Sequence, residues 1–235
     1  MKCNFQIIFK LIKKMNRNMQ NNNSTALKNE SQKNERDPFR ILITTILSQR
    51  TRDENTRQAS QKLFSKYHDV KSLSKANAKE VESLIQQSGF YRTKTRSIIS
   101  VSKILVDCYN GEVPRDFNEL MALPSVGRKT ANCVLVYGFH VPAIPVDIHV
   151  HRISNRLGMV NTNKPEDTEL KLREHIERRF WIELNEEFVK FGQRICKPVK
   201  PGCVICDLKK CCIWYKDQRM KQLPIKRTIE FIDND

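Results

Sequence analysis

The chain has 235 residues, 39% of them hydrophobic, and carries 42 lysines and arginines against 26 acidic residues, a formal net charge of +16. That length admits one large domain or two small ones around a sizeable core. The charge points to a polyanionic partner, most simply DNA or RNA, and no apolar run approaches the ~18–20 residues of a bilayer span.

Only 7 glycines are present, and the periodic segments are long, which favours helices over turn-rich β architecture. The apolar stretch at Phe5–Phe9 is interrupted by Gln6 and ends at Lys10 without a small-residue cleavage site. No secretory signal is expected, and a cytoplasmic location, nucleoid-associated in a prokaryote, fits. The 8 cysteines crowd toward the C-terminus, a pattern that suits metal ligation better than a disulfide framework.

Residues 1–36 are asparagine-rich and lack periodicity beyond Lys14. They read as a mobile extension, in which Phe5 to Ile12 can form a short amphipathic helix. From Asp37 the pattern changes. Pro38 suits a first helical position, and Phe39, Leu42, Ile43, Ile46 and Leu47 recur at helical spacing. Further helices are expected over Glu54 to Tyr67 and from an Asn77/Glu80 capping pair to Gly89. Another runs from a Thr93 cap to Asn110-Gly111, and a short one follows Asp116. After a hairpin at 123–127 comes a helix with Ala131, Val134, Leu135 and Gly138 on one face, then helices near 148–157, 165–180 and 183–194. No strand is expected.

The hairpin Leu123-Pro124-Ser125-Val126-Gly127-Arg128-Lys129 has a physical logic. Pro124 fixes a φ angle and starts a tight turn. Gly127 permits a conformation or a backbone approach that a side chain would block. The next helix opens at once, so its first amides lack partners and sit at the positive end of the helix dipole, where a phosphate oxygen is welcome. Backbone contacts read no bases, so such an element binds duplex DNA without sequence preference. Arg128 adds charge to the same region. Asp147, after Pro145 and Val146, suits the cap of the following helix.

Cys196-x6-Cys203-x2-Cys206-x5-Cys212 is a tight cluster. Four thiolates hold either zinc or an iron–sulfur cluster, and the spacing alone leaves both open. Cys211 is the competing fourth ligand. Ligation at both ends would pin the loop between the first two and display Lys197 and Lys200 toward phosphate. Cys3, Cys108 and Cys133 read as a tail thiol and two core residues. His149 and His151 stand two apart on a helix and point to different sides, so no metal role is expected of them. Trp181 and Trp214 read as packing residues.

The segment from Leu123 to Asn132 resembles the helix-hairpin-helix of the endonuclease III family of DNA glycosylases, and Pro145-Val146-Asp147-Ile148-His149 resembles its Gly/Pro-Asp loop. Ile46 to Asp53 and Gly89 to Lys94 are similar to further segments of that family, over roughly residues 37 to 215. The resemblance implies an all-α, two-lobed fold: a helical barrel over 37–143, a C-terminal helical domain over 144–220 with a 4Fe–4S cluster on Cys196, Cys203, Cys206 and Cys212, and a tail over 221–235. It implies a bifunctional glycosylase and apurinic/apyrimidinic lyase, acting as a monomer on double-stranded DNA with damaged bases, mainly oxidised pyrimidines, or abasic sites. Lys129 would be the nucleophile and Asp147 the carboxylate. Pro124, Val126, Gly127 and Arg128 would contact the backbone. Gln49 and Arg50 lie where relatives fill the gap left by a flipped nucleotide, although Ser48-Gln49-Arg50-Thr51 stands where some relatives have Ser-Ala-Gln-Ala.

Overall fold

The computed structural model describes residues 4–19, 25–33 and 37–222, and among these every regular element is helical. In chain order the α-helices are α1 (Phe5–Asn18), α2 (Ala26–Lys33), α3 (Pro38–Ser48), α4 (Asp53–Lys66), α5 (Val70–Ser74), α6 (Ala78–Ile85), α7 (Tyr91–Cys108), α8 (Phe117–Ala122), α9 (Arg128–Cys133), α10 (Ile148–Leu157), α11 (Pro165–His175), α12 (Trp181–Arg194) and α13 (Ile213–Gln222). A π-helical turn, Val134–Gly138, continues α9.

Side-chain caps fix several of the helix starts. Asp37, Asp69, Asn77, Asp116 and Asp147 each accept backbone N–H bonds at a helix N-terminus, satisfying donors that the first turn leaves orphaned. The helix expected to begin from a Thr93 cap instead starts at Tyr91, behind Phe90 in the left-handed region with no side-chain cap.

Two apolar cores meet between Ala143 and Ile144. The first, from Leu27 to Ala143, is built around α3, whose Ile41, Leu42, Ile43, Ile46 and Leu47 are fully buried. That helix packs against α2, α4, α7, α9 and the π turn. Gly138 permits the close approach of the last of these, since a Cβ there would lie 3.1 Å from the Pro38 Cα. The second core joins Ile144 through Cys212 to Ile8, Phe9, Ile12 and Met15 of α1.

The reading of residues 1–36 as a mobile extension is therefore corrected in part. α1 lies along α12, with Asn16 Nδ2 donating to the Glu187 carbonyl at 3.0 Å and Lys13 paired with Glu183. The physical reason is its apolar stripe at i, i+1, i+4 and i+7, which only a second surface can bury. In α2, Ser31 donates to the Tyr137 carbonyl. The proposed tail lies outside the described residues from 223 onward. No helix among the described residues is long and apolar enough to cross a membrane.

Polar bonds tie the lobes together. Arg128 pairs with Glu169, Tyr137 donates to Asn185, Gln193 to Asp53, and Lys28 faces Glu186.

Candidate active site at the seam between the lobes

The turn before α9 closes with Val126 N–H on the Leu123 carbonyl at 3.2 Å. Its one left-handed residue is Ser125, at φ 62, not Gly127. Gly127 is extended, and a Cβ there would meet nothing within 4 Å. Of the two expectations for this glycine, the special conformation is not used, and the space beside its backbone is open. The first helical bond runs from Ala131 N–H to Gly127 O, so the amides of Arg128, Lys129 and Thr130 have no helical acceptor. Pro124 is half-buried and Val126 packs into the first core, so Val126 offers only its backbone outward.

Lys129 projects from the first turn of α9 and is only partly exposed. Burial is the largest influence on its amine and lowers its pKa. The charge of Cys133, the Asp147 carboxylate, a hydrogen bond with Cys133 and, last, Asp53 raise it and together prevail. Cys133, one turn along, is itself pushed up by burial. Lys129 beside it pulls the other way, by charge and by hydrogen bond. Asp147 and Asp53 are the carboxylates that favour the ammonium.

Asp147 is the N-cap of α10. Its Oδ1 accepts from the His149 and Val150 amides, both at 2.9 Å, while Oδ2 accepts no hydrogen bond among the described residues. One oxygen thus fixes the carboxylate and the other is free. The strand of chain leading to it is held from two sides: Asn185 Nδ2 donates to the Pro145 carbonyl at 2.8 Å, and Tyr137 Oη donates to Asn185 Oδ1 at 3.1 Å. Asp53, in the first turn of α4, also acts on Lys129, Tyr137 and His149. Sequence reasoning missed it. Its signal was an acid following Ser48-Gln49-Arg50-Thr51, a segment already singled out.

The sequence assigns Arg128 a phosphate contact. Its guanidinium is instead bidentate on Glu169, at 3.1 and 3.0 Å, and stacked over Phe117. The Glu169 side chain is only 3% exposed, so this charge serves the seam. Gln49 Nε2 donates to the Ser125 carbonyl at 2.9 Å, and Arg50 is exposed at φ 51. Arg50 leans over the ring of Phe90, which is 63% exposed and also left-handed, at φ 59. An exposed, strained aromatic under Arg50 is a second feature the sequence did not reveal.

The histidines do not pair. His149 Nδ1 lies 3.1 Å from Arg152 Nη2, and His151 Nδ1 lies 2.6 Å from Thr168 Oγ1. Burial lowers the pKa of His149.

Cys196, Cys203, Cys206 and Cys212 all line one cavity beside Arg156 and Trp214. Arg156 stacks over Trp214, lies 3.5 Å from Cys196 Sγ, and donates to the Lys197 and Pro198 carbonyls. Burial pushes the Cys206 thiol up to about 11. Cys211 is in a disulfide and does not line the cavity. Among the described residues no three ligating groups close on a single ion. Lys197 and Lys200 are exposed on the intervening loop.

The chain matches the model of the HhH-GPD superfamily base excision DNA repair proteins over residues 43–178. It is 53% identical to endonuclease III of Thermotoga maritima over 182 residues, 77% of this chain and 85% of that one. It superposes on a non-covalent endonuclease III–DNA complex with a TM-score of 0.80 at 36% identity, covering 94% of this chain and 100% of that one. A trapped endonuclease III–DNA covalent intermediate gives 0.79 at 35%, covering 91% and 98%. With the helical hairpin, the capped aspartate and the two-lobed helical fold already in place, the chain belongs to the endonuclease III family within the HhH-GPD superfamily, and is a DNA glycosylase of base excision repair.

Proposed function

We propose that the protein is a bifunctional glycosylase and apurinic/apyrimidinic lyase that removes oxidised pyrimidines from duplex DNA, with Lys129 as nucleophile and Asp147 as its carboxylate partner. The observation that carries this reading is the amine of Lys129 lying in the field of Asp147 and Asp53 at the seam, with one Asp147 oxygen uncommitted. The target nucleotide leaves the stack, at a cost of a few kcal/mol. As the base departs, positive charge builds at C1′, and the Asp147 carboxylate stabilises it. The neutral Lys129 amine attacks C1′ once its proton has passed to a carboxylate, and ring opening gives an imine. The imine acidifies C2′–H; loss of that proton expels the 3′ phosphate and cuts the strand.

The open face at Gly127, the unpartnered amides of Arg128 to Thr130, and Lys197 with Lys200 supply phosphate contacts. Gln49, Arg50 and Phe90 face the gap left by the extruded nucleotide. Pro124 and the Val126 backbone shape the turn.

A 4Fe–4S cluster is the reading for the four cysteines, which line one cavity in a chain of the endonuclease III family. A single zinc ion, at Zn–S distances of about 2.3 Å, is the alternative. Bound there, the cluster would pin residues 197–202 by ligating both ends of the loop.

The test is a panel of lesion duplexes against wild type and Lys129→Gln. The wild type should release oxidised pyrimidines and nick the strand, and the variant should bind the duplex yet leave it uncut. Base release without nicking by the wild type would make the protein a monofunctional glycosylase.

A further inference from the structure

Lys94 is a lysine at 5% exposure with no carboxylate beside it. Its Nζ lies 2.7 Å from the Leu47 carbonyl, 2.6 Å from the Gln49 carbonyl, 2.7 Å from Thr51 Oγ1 and 2.8 Å from Ser88 Oγ. Ser88 spends its own proton on the Leu47 carbonyl at 2.9 Å, and Thr51 directs its proton to the Gln49 carbonyl at 3.2 Å. Both hydroxyls therefore face the amine as acceptors. An ammonium with three N–H groups is the form that satisfies such a cage.

The cage joins three pieces of chain. Leu47 and Gln49 carry carbonyls at the C-terminal end of α3, where the helix dipole is negative and carbonyls lack helical partners. Thr51 belongs to the loop before α4, Ser88 to the loop before α7, and Lys94 itself to the first turn of α7. The two loops are pressed together: Gly89 N–H donates to Thr51 Oγ1 at 3.1 Å, and a Cβ on Gly89 would lie 3.0 Å from the Arg50 carbonyl. Each loop holds a non-glycine residue in the left-handed region, Arg50 in one and Phe90 in the other. Such conformations cost energy and persist only where their surroundings enforce them.

We propose that Lys94 is a positioning residue that locks these two loops side by side, so that Gln49, Arg50 and Phe90 are presented together to the gap in the duplex. This rests on the function proposed above. Lys94 touches no reacting atom. Its effect belongs to the engagement of the gap in a duplex, and a single strand, which has no such gap, should not need it.

A pH signature follows. Burial lowers the Lys94 pKa to about 8. Above that the neutral amine offers two N–H groups to four oxygens, and the loops loosen. Global stability moves the other way. The unfolded lysine stays protonated to its ordinary value, so between about 8 and 10.5 unfolding takes up a proton, and this group alone makes the fold more stable as pH rises. Falling duplex affinity without falling stability thus separates loop control from general unfolding. The charged groups on these segments are Arg50, Arg52 and Asp53 on the α4 side and Arg92 and Arg96 on α7.

The experiment compares wild type, Lys94→Met and Ser88→Ala as full-length, cluster-loaded proteins. Binding is measured on a duplex with a non-cleavable abasic analogue, and strand cleavage on a single-stranded abasic oligonucleotide. Lys94→Met should weaken duplex binding about tenfold, the scale of losing a charge-assisted hydrogen-bond set, with single-strand cleavage within about twofold. Ser88→Ala should give a smaller loss, about threefold, with the helix content of wild type. Wild-type duplex affinity should step down between pH 7 and 9, and Lys94→Met should lack that step. Unchanged duplex affinity in both variants, equal losses on the two substrates, or a wild type without the pH step would overturn the proposal. A wild type that fails to cleave the single-stranded abasic oligonucleotide would instead overturn the lyase reading beneath it.

Discussion

At the scale of single residues, Asp147 does two jobs with two oxygens. Oδ1 caps α10 and Oδ2 accepts no hydrogen bond among the described residues, so stability and catalysis should separate on substitution. Asn caps a helix as well as Asp. Asp147→Asn should leave the melting temperature nearly unchanged while base excision falls at least about a hundredfold, the usual scale for removing one electrostatic contact to a transition state. Asp147→Ala should in addition cost about 1 kcal/mol of stability through the lost cap. Thermal melts and single-turnover excision on the same preparations read both. Lys129 presents the complementary problem. Its carboxylate neighbours favour the ammonium while burial opposes it, so the nucleophile must be released by proton transfer to a carboxylate rather than stand neutral at rest. Lys129 and Asp147 enter as candidates through the family resemblance, and the four cysteine candidates through their spacing. Asp53 and Lys94 do not, because an exposed helix-start acid and a lysine in a polar first turn look ordinary until the fold brings other segments against them.

At the scale of elements, the seam is held by side chains that a linear reading sends elsewhere. Arg128 sits where a phosphate contact is expected, yet the buried carboxylate of Glu169 claims it. Removing the guanidinium leaves only Arg173, at 3.5 Å, to face that carboxylate. Arg128→Ala should therefore destabilise the fold by about 3 kcal/mol, and a melt in which it costs nothing would refute the clamp. α10 and α12 cross closely at Gly192, where a Cβ would fall 2.4 Å from His149 Nδ1. Gly192→Ala must displace His149 or Arg152, and Arg152 holds the Cys196 carbonyl at 2.9 Å. A loss of about 1–3 kcal/mol is expected, with weaker iron retention in the cysteine loop. Helix existence was legible from periodicity and caps, as for α3 and α10. The π turn and the start of α7 were not: the first depends on Gly138 meeting Pro38, and the second on a left-handed Phe90 that no propensity favours.

At the scale of the molecule, two cores divide near residue 143, and the N-terminal helix belongs to the second. The sequence marks Phe5 to Ile12 as amphipathic but not what covers it, because the covering surface on α12 lies more than 160 residues away. Met15 also reaches the cysteine loop, accepting from Asp207 N–H at 3.4 Å. Deleting residues 1–19 exposes the partners of Ile8, Phe9, Ile12 and Met15. At roughly 1.5–3 kcal/mol for each large apolar side chain, the loss should be on the order of 5 kcal/mol or more, read as a lowered melting temperature. Metal analysis of purified protein should find about four iron and four sulfide per chain; stoichiometric zinc without iron would replace the cluster by a single-ion site.

The most direct test of the central claim is borohydride reduction during turnover, with the adduct located by peptide mapping. The expected result is DNA covalently joined to wild-type protein at Lys129, and none joined to Lys129→Gln. Base release without any adduct, or an adduct on another lysine, would contradict the account.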